Sequence, residues 1–161
     1  MKIALGVVLV LGLALGLSSR DEEAGAAVIA MDVNDLTDGS TLIIRAHVIG
    51  QDVAWTEDGN MIVSSFELQP IETLKGQVSG NPVVKVPGGE IDGLKIRNGE
   101  APVFALGEQV VVFLKANADG TWLTYGWFQG KYTLLSDLGV RELAGTNYDS
   151  FRAQILAAVG N

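Results

Sequence analysis

From Thr41 to Leu135 the apolar residues come in short runs, most of them alternating with polar residues and each closed by turn formers. A period of two marks strands with one buried face, and turns at short intervals set neighbouring strands antiparallel. Thr41–Gly50 (TLIIRAHVIG) puts Leu42, Ile44, Ala46 and Val48 on one face, and Ile43, Arg45, His47 and Ile49 on the other. Glu57-Asp58-Gly59-Asn60 is a turn signal, with glycine available for a positive φ. Met61–Leu74 reads as a long strand with Ile62, Phe66 and Leu68 in phase. Pro70 cannot donate to a sheet ladder, so it marks a bulge or an edge within that strand. Pro82–Pro87 is a short strand stopped by Gly88-Gly89, and Gly88–Gly107 reads as a long loop with room for a short extra strand. Gln109–Lys115 (QVVVFLK) breaks the alternation, and its continuous apolar run suits a strand buried on both faces. Asn117-Ala118-Asp119-Gly120 reverses the chain into a strand over Thr121–Trp127, and Gly130–Leu135 supplies a further one.

Helical signals lie at the two ends. Asp32–Asp38 reads as one or two turns before Gly39. Thr146 or Asn147 can cap a helix running to about Val159, with Phe151, Ile155, Leu156 and Val159 as its apolar stripe and Gly160 as its end. Five to seven strands and one closing helix predict an all-β chain folded as a small antiparallel barrel or sandwich.

At the N-terminus, Met1-Lys2 precedes a run of 15 apolar or glycine residues, Ile3–Leu17, which Ser18-Ser19-Arg20-Asp21-Glu22-Glu23 ends abruptly. A membrane-spanning helix needs about 20 apolar residues and a signal-peptide core about 7–15, so the run fits a secretory signal. Cleavage after Ala24-Gly25-Ala26 and cleavage near Ser18 or Ser19 are both open, as is an uncleaved N-terminal anchor. Residues 1–26 are therefore set apart as signal peptide or anchor, and 27–161 as a single domain. The expected location is outside the cytoplasm, extracellular or periplasmic, with membrane contact only through the N-terminal segment where it is retained.

Composition removes several classes of function. Zero cysteines exclude disulfide scaffolds, thiolate zinc sites, iron–sulfur clusters and thiol nucleophiles, and a single histidine excludes a site built from two imidazoles of one chain. A formal charge of −8 argues against nucleic acid, whose phosphates demand a basic surface. Only Lys95 and Arg97 lie near each other after the glycine-rich loop.

The order of motifs carries a resemblance. A strand with Val48-Ile49-Gly50 is followed by a long strand ending Leu74-Lys75-Gly76, a short valine-rich strand, and then Gly107-Glu108-Gln109-Val110-Val111-Val112-Phe113-Leu114. Over roughly residues 41–135 this succession resembles the OB-type barrel of netrin-like domains, the group containing tissue inhibitors of metalloproteinases. It looks closer still to uncharacterised exported bacterial proteins that share the Leu-Lys-Gly, Pro-Gly-Gly and Gly-Glu-x-Val-x-x-Phe-Leu elements. The resemblance implies a small OB-like barrel with a C-terminal helix, and a protease among its partners. The family's inhibitory mechanism, in which a disulfide-held N-terminal cysteine enters the protease cleft, is not implied for a chain without cysteine.

Chemical candidates are few. His47 is the one side chain with an unperturbed pKa near neutrality, but on its strand it lies beside Arg45, whose charge disfavours both metal and imidazolium. Ser64 and Ser65 lie in mid-strand without a Gly-x-Ser-x-Gly elbow. Glu57, Asp58 and Asp119 fall in turns, and Glu90 and Asp92 in the glycine-rich loop, where acids serve as local acceptors or solvated charge; a paired-carboxylate hydrolase is the least favoured reading. No catalytic residue, metal ligand or cofactor is expected. Aromatics are the better binding candidates: Trp55 in its loop, Trp122 on one face of its strand, and Tyr125 and Trp127 on the other, suited to sugar rings or protein hot spots unless they plug the barrel ends. The expectation is a non-catalytic binding module for an extracytoplasmic protein, with polysaccharide as the alternative partner.

Overall fold

Strand β1 (Leu42–Trp55) and strand β2 (Ile62–Lys75) form a long antiparallel hairpin, and β3 (Val83–Pro87) continues it on the far side of β2. In this computed structural model, which describes residues 29–160, β7 (Trp122–Thr124) joins β3 in parallel through Val84 and Trp122, and β6 (Gln109–Ala116) joins β7 and β1 in antiparallel fashion. The ring β1-β2-β3-β7-β6 thereby closes on itself. Strand β8 (Lys131–Leu134) hangs on the Gln109–Val112 half of β6, whose other half holds β7. The apolar run Ile3–Leu17 and its candidate cleavage points lie outside the described residues. Among the described residues, no helix is long and apolar enough to cross a membrane.

Three register shifts let the flat pattern read from the sequence curl into a barrel. Ile43 faces Lys75 while Ile44 faces Thr73, so Leu74 is an extra residue. Arg45 faces Glu72 while Ala46 faces Pro70, so Ile71 is a second, and Pro70 does stand at a bulge. Val48 faces Leu68 while Gly50 faces Glu67, which makes Ile49 the third. Alternation then sorts side chains into two cores. Leu42, Ile44, Ala46 and Val48 point inward and meet Phe66, Leu68, Val84, Val110, Val112 and Leu114. Outside, Ile43, Leu74, Val111 and Phe113 pack against Leu36, Tyr132, Tyr148, Phe151 and Ile155. Strand β6 feeds both cores, which is the physical reason for its unbroken apolar run.

Helix α1 (Val33–Gly39) begins in a capping box: Asp32 Oδ1 accepts from the Asn34 and Asp35 N–H groups at 2.8 and 2.9 Å, and Asp35 Oδ2 accepts from the Asp32 N–H at 3.0 Å. Helix α2 (Tyr148–Val159) is capped by Asn147, whose Oδ1 accepts from the Ser150 N–H at 2.9 Å. Its buried stripe is Tyr148, Phe151, Ile155 and Ala158, whereas Leu156 and Val159 are exposed. The expected stripe was out of phase there because each residue turns the helix by about 100°, which carries Leu156 away from the face that Ile155 buries.

Two segments depart from expectation. The strand expected over Thr121–Trp127 stops at Thr124: Gly126 and Trp127 adopt φ of 72° and 57°, and a 3-10 turn (Trp127–Gly130) follows. Within Gly88–Gly107 the chain forms a second small sheet, β4 (Gly89–Ile91) and β5 (Leu94–Ile96), joined by Asp92 and Gly93 at φ 51° and 80°. Consecutive positive φ values are the mark of a type I′ hairpin, and Asp-Gly is its sequence signal.

The glycine of the Leu-Lys-Gly motif is structurally obligatory. Gly76 sits at φ 77°, and a Cβ on it would lie 2.3 Å from the Thr41 carbonyl oxygen. Left-handed strain of about 1–2 kcal/mol adds to an overpacking cost of about 1–3 kcal/mol. Gly76→Ala is therefore expected to lower unfolding stability by about 3 kcal/mol in urea titration, and a loss under 1 kcal/mol would contradict this account.

Candidate functional site

An apolar concavity lies on the outer face of β2, β3 and β7. Because Val84 and Val86 point into the barrel, Lys85 and Pro87 point out; Val63 on β2 does likewise, between buried Ile62 and Ser64. Leu123 adds the β7 floor, while Met61, Pro102 and Trp127 form the walls of a groove of about 310 Å³. Met61, Leu123 and Trp127 are 49%, 41% and 46% exposed, so three large apolar side chains meet water together. Polar atoms are scarce on this surface. Lys85 is its one charged lining residue, and its Nζ is paired at 2.5 Å with Asp119 Oδ2. The Lys85 ammonium, together with the Thr121 hydroxyl and N–H, holds the Asp119 carboxyl well below the usual carboxylate range.

The four aromatics singled out from the sequence do not share a site. Trp127 lines the groove. Trp122 is half-buried against the barrel interior, and Tyr125 packs into the outer core, so close to Gly39 that a Cβ there would lie 2.0 Å from its ring. Trp55 is 43% exposed, but it pairs with Ile62, whereas groove-lining Val63 pairs with Ala54. Residues paired across a ladder share a face and neighbours along a strand do not, so Trp55 lies on the opposite side of the hairpin from the groove. Met61, Val63, Pro87 and Pro102 were not among the sequence candidates. Alternation marks Val63 and Pro87 as outward, but only the parallel pairing of β3 with β7 makes them neighbours of Leu123.

Most of the remaining polar candidates are engaged by neighbours in local structure. Gln109 Oε1 accepts from Arg45 Nε and Nη2 at 2.8 and 2.5 Å, which leaves its amide nitrogen facing His47 Nε2 at 3.3 Å. The Arg45 guanidinium lies 4.4 Å above the Tyr148 ring, whose hydroxyl donates to Glu72 at 2.6 Å, and Arg152 donates to the other Glu72 oxygen at 2.6 Å. Burial alone would raise the Glu72 pKa, but the bonds from Tyr148 and Arg152 outweigh it and hold the carboxyl low. Burial, reinforced by Glu72, pushes the Tyr148 phenol up. This network fastens α2 to the β1–β2 hairpin. Ser64 donates to the Gly88 carbonyl at 2.8 Å, and Asp58 is kept low by hydrogen bonds from Thr56 and Asn60. Glu90 pairs with Lys95 at 3.0 Å in a shallower depression of about 570 Å³ that Arg97 also lines. Among the described residues, no three His, Asp or Glu side chains converge to hold a metal ion.

The sequence matches no protein-family model and no curated protein. The fold itself defines the class, an OB-like barrel in which β6 and β7 take the places of the fourth and fifth strands. In such barrels the face of the second and third strands, between the 1–2 and 4–5 loops, is the usual ligand face. The groove lies there, between the Thr56–Asn60 turn and the Asn117–Thr121 turn.

Proposed function

We propose that the protein is exported and acts without catalysis, holding an apolar segment of an extracytoplasmic protein in the groove of β2, β3 and β7. One observation carries this reading: a concave surface almost free of polar atoms, presenting Met61, Leu123 and Trp127 on the ligand face of an OB-like barrel. Its volume of about 310 Å³ is roughly twice the ~150 Å³ that takes up a benzene molecule, enough for one or two large side chains. Polysaccharide recognition would call for polar groups around a stacking ring. The groove wall supplies Asn117, Thr124 and an already paired Lys85. Export is supported by the Met1-Lys2 and Ile3–Leu17 leader, and the resemblance to netrin-like domains brings a protease in as one class of partner.

Affinity capture from the exported fraction tests the reading, with the wild-type protein beside Leu123→Glu and Trp127→Ala. Truncating an interface anchor costs about 2 kcal/mol or more, so each variant is expected to retain under a tenth of the captured protein. Capture unaffected by both variants, or recovery of polysaccharide alone, would overturn it.

A further inference from the structure

Resting on that reading, we infer that the segment held in the groove is basic: a bulky aliphatic or aromatic side chain flanked by Lys or Arg. The apolar wall selects the central side chain, and the charges around the wall select its neighbours. Lys85, the one cation of the lining, is spent on Asp119 at 2.5 Å. The turn that delivers Met61 carries Glu57 and Asp58, and it closes directly on the groove, since Thr56 and Met61 bond backbone to backbone at 2.8 Å. Thr56 and Asn60 hold the Asp58 carboxyl ionised. Near the opposite wall, the Glu100 backbone carbonyl accepts from the Phe128 N–H at 3.0 Å, which fixes the main chain that bears this acid beside the Trp127 turn. Two cations also flank the groove: Arg97, in a depression that shares Met61 and Pro87 with it, and Lys115, the ladder partner of Leu123, so the three acids outnumber them by one. At longer range the described chain carries sixteen acidic and nine basic residues, so its field has the same sign as the rim. Such a field speeds encounter with a basic partner and repels an anionic lipid surface, an acidic protein or a second copy of this chain.

The test uses the full chain after export and fluorescently labelled nine-residue peptides of three kinds: a central Leu flanked by Lys, the same Leu flanked by Glu, and a central Ala flanked by Lys. Anisotropy is expected to show the Lys–Leu peptide binding at least tenfold tighter than either of the others. Raising salt to about 0.5 M, where the Debye length shrinks to a few ångströms, should remove most of that advantage. Leu123→Glu should abolish binding, while Glu57→Gln with Glu100→Gln should weaken it about threefold or more. Equal binding of Lys- and Glu-flanked Leu peptides, lost in Leu123→Glu, would overturn the charge inference and leave the apolar groove standing. Equal binding of the Leu and Ala peptides would overturn the groove's part in it. No binding by any peptide, or uptake by phosphatidylcholine–phosphatidylglycerol vesicles instead, would remove both.

Discussion

Glu108→Ala is expected to destabilise the protein by about 3 kcal/mol, far more than loss of a surface ion pair. Glu108 Oε1 lies 2.8 Å from Lys131 Nζ, with side-chain exposures of 13% and 8%. The ammonium also donates to the Val103 carbonyl at 2.7 Å and the Thr133 hydroxyl at 2.9 Å, and stands 5.3 Å from the centre of the Phe104 ring. Glu108 accepts in addition from the Ala105 N–H at 2.9 Å. This pair ties the segment that crosses the barrel end to β8. Removing one partner of a buried pair costs about 3–5 kcal/mol because the other charge stays buried, and the small residual exposure places Glu108→Ala at the lower bound. Exchanging both partners for apolar residues removes that charge. Glu108→Leu with Lys131→Met is therefore expected within about 1 kcal/mol of wild type, since water can reach the Val103 carbonyl that Lys131 vacates. Urea unfolding of the single and double variants decides the matter. A cost below 1 kcal/mol for Glu108→Ala would mean that solvent already screens the pair.

Glu108 also shows which parts of this molecule were legible in its sequence. The strands were, because alternation is a local signal: Leu42, Ile44, Ala46 and Val48 enter the barrel together, and Val110–Leu114 is covered on both sides. The short motifs proved structural. Gly76 sits against Thr41, and Gly107, at φ 82°, donates its N–H to the Val48 carbonyl at 2.8 Å. The β4–β5 hairpin was present in its Asp92-Gly93 signal but hidden by the glycines around it. Trp127 could not be placed, since the strand expected to carry it ends at Thr124 and the chain turns back at Gly126, where a Cβ would meet Leu36 at 2.8 Å. The groove was not legible at all. It depends on one parallel bridge, Val84 with Trp122, between segments that share no local pattern. The Glu108–Lys131 pair is equally nonlocal, and nothing near either residue announces the other.

Phe113→Ala should have the larger effect, about 3–5 kcal/mol out of the 5–15 kcal/mol usual for a domain, because it empties the middle of the outer core. Phe113 is fully buried, its ring centre 5.8 Å from that of Tyr132 and 6.4 Å from that of Phe151, and no neighbour is free to collapse into the space without losing its own contacts. The form of the transition is as informative as its midpoint. Since β6 supplies Phe113 to the outer core and Val112 and Leu114 to the barrel interior, the two cores share one backbone and should unfold as one unit. The helical circular dichroism of α2 and the fluorescence of half-buried Trp122, followed with Trp55 and Trp127 replaced by Phe, should therefore fall together in urea for wild type and Phe113→Ala alike. Helix loss at a denaturant concentration that leaves Trp122 unchanged would show instead that the outer layer is a separate cooperative unit. Leu123 and Trp127 belong to neither core, so Leu123→Glu and Trp127→Ala should leave this shared transition within about 1 kcal/mol of wild type. A loss of partner capture in those variants would then report the groove and not the fold.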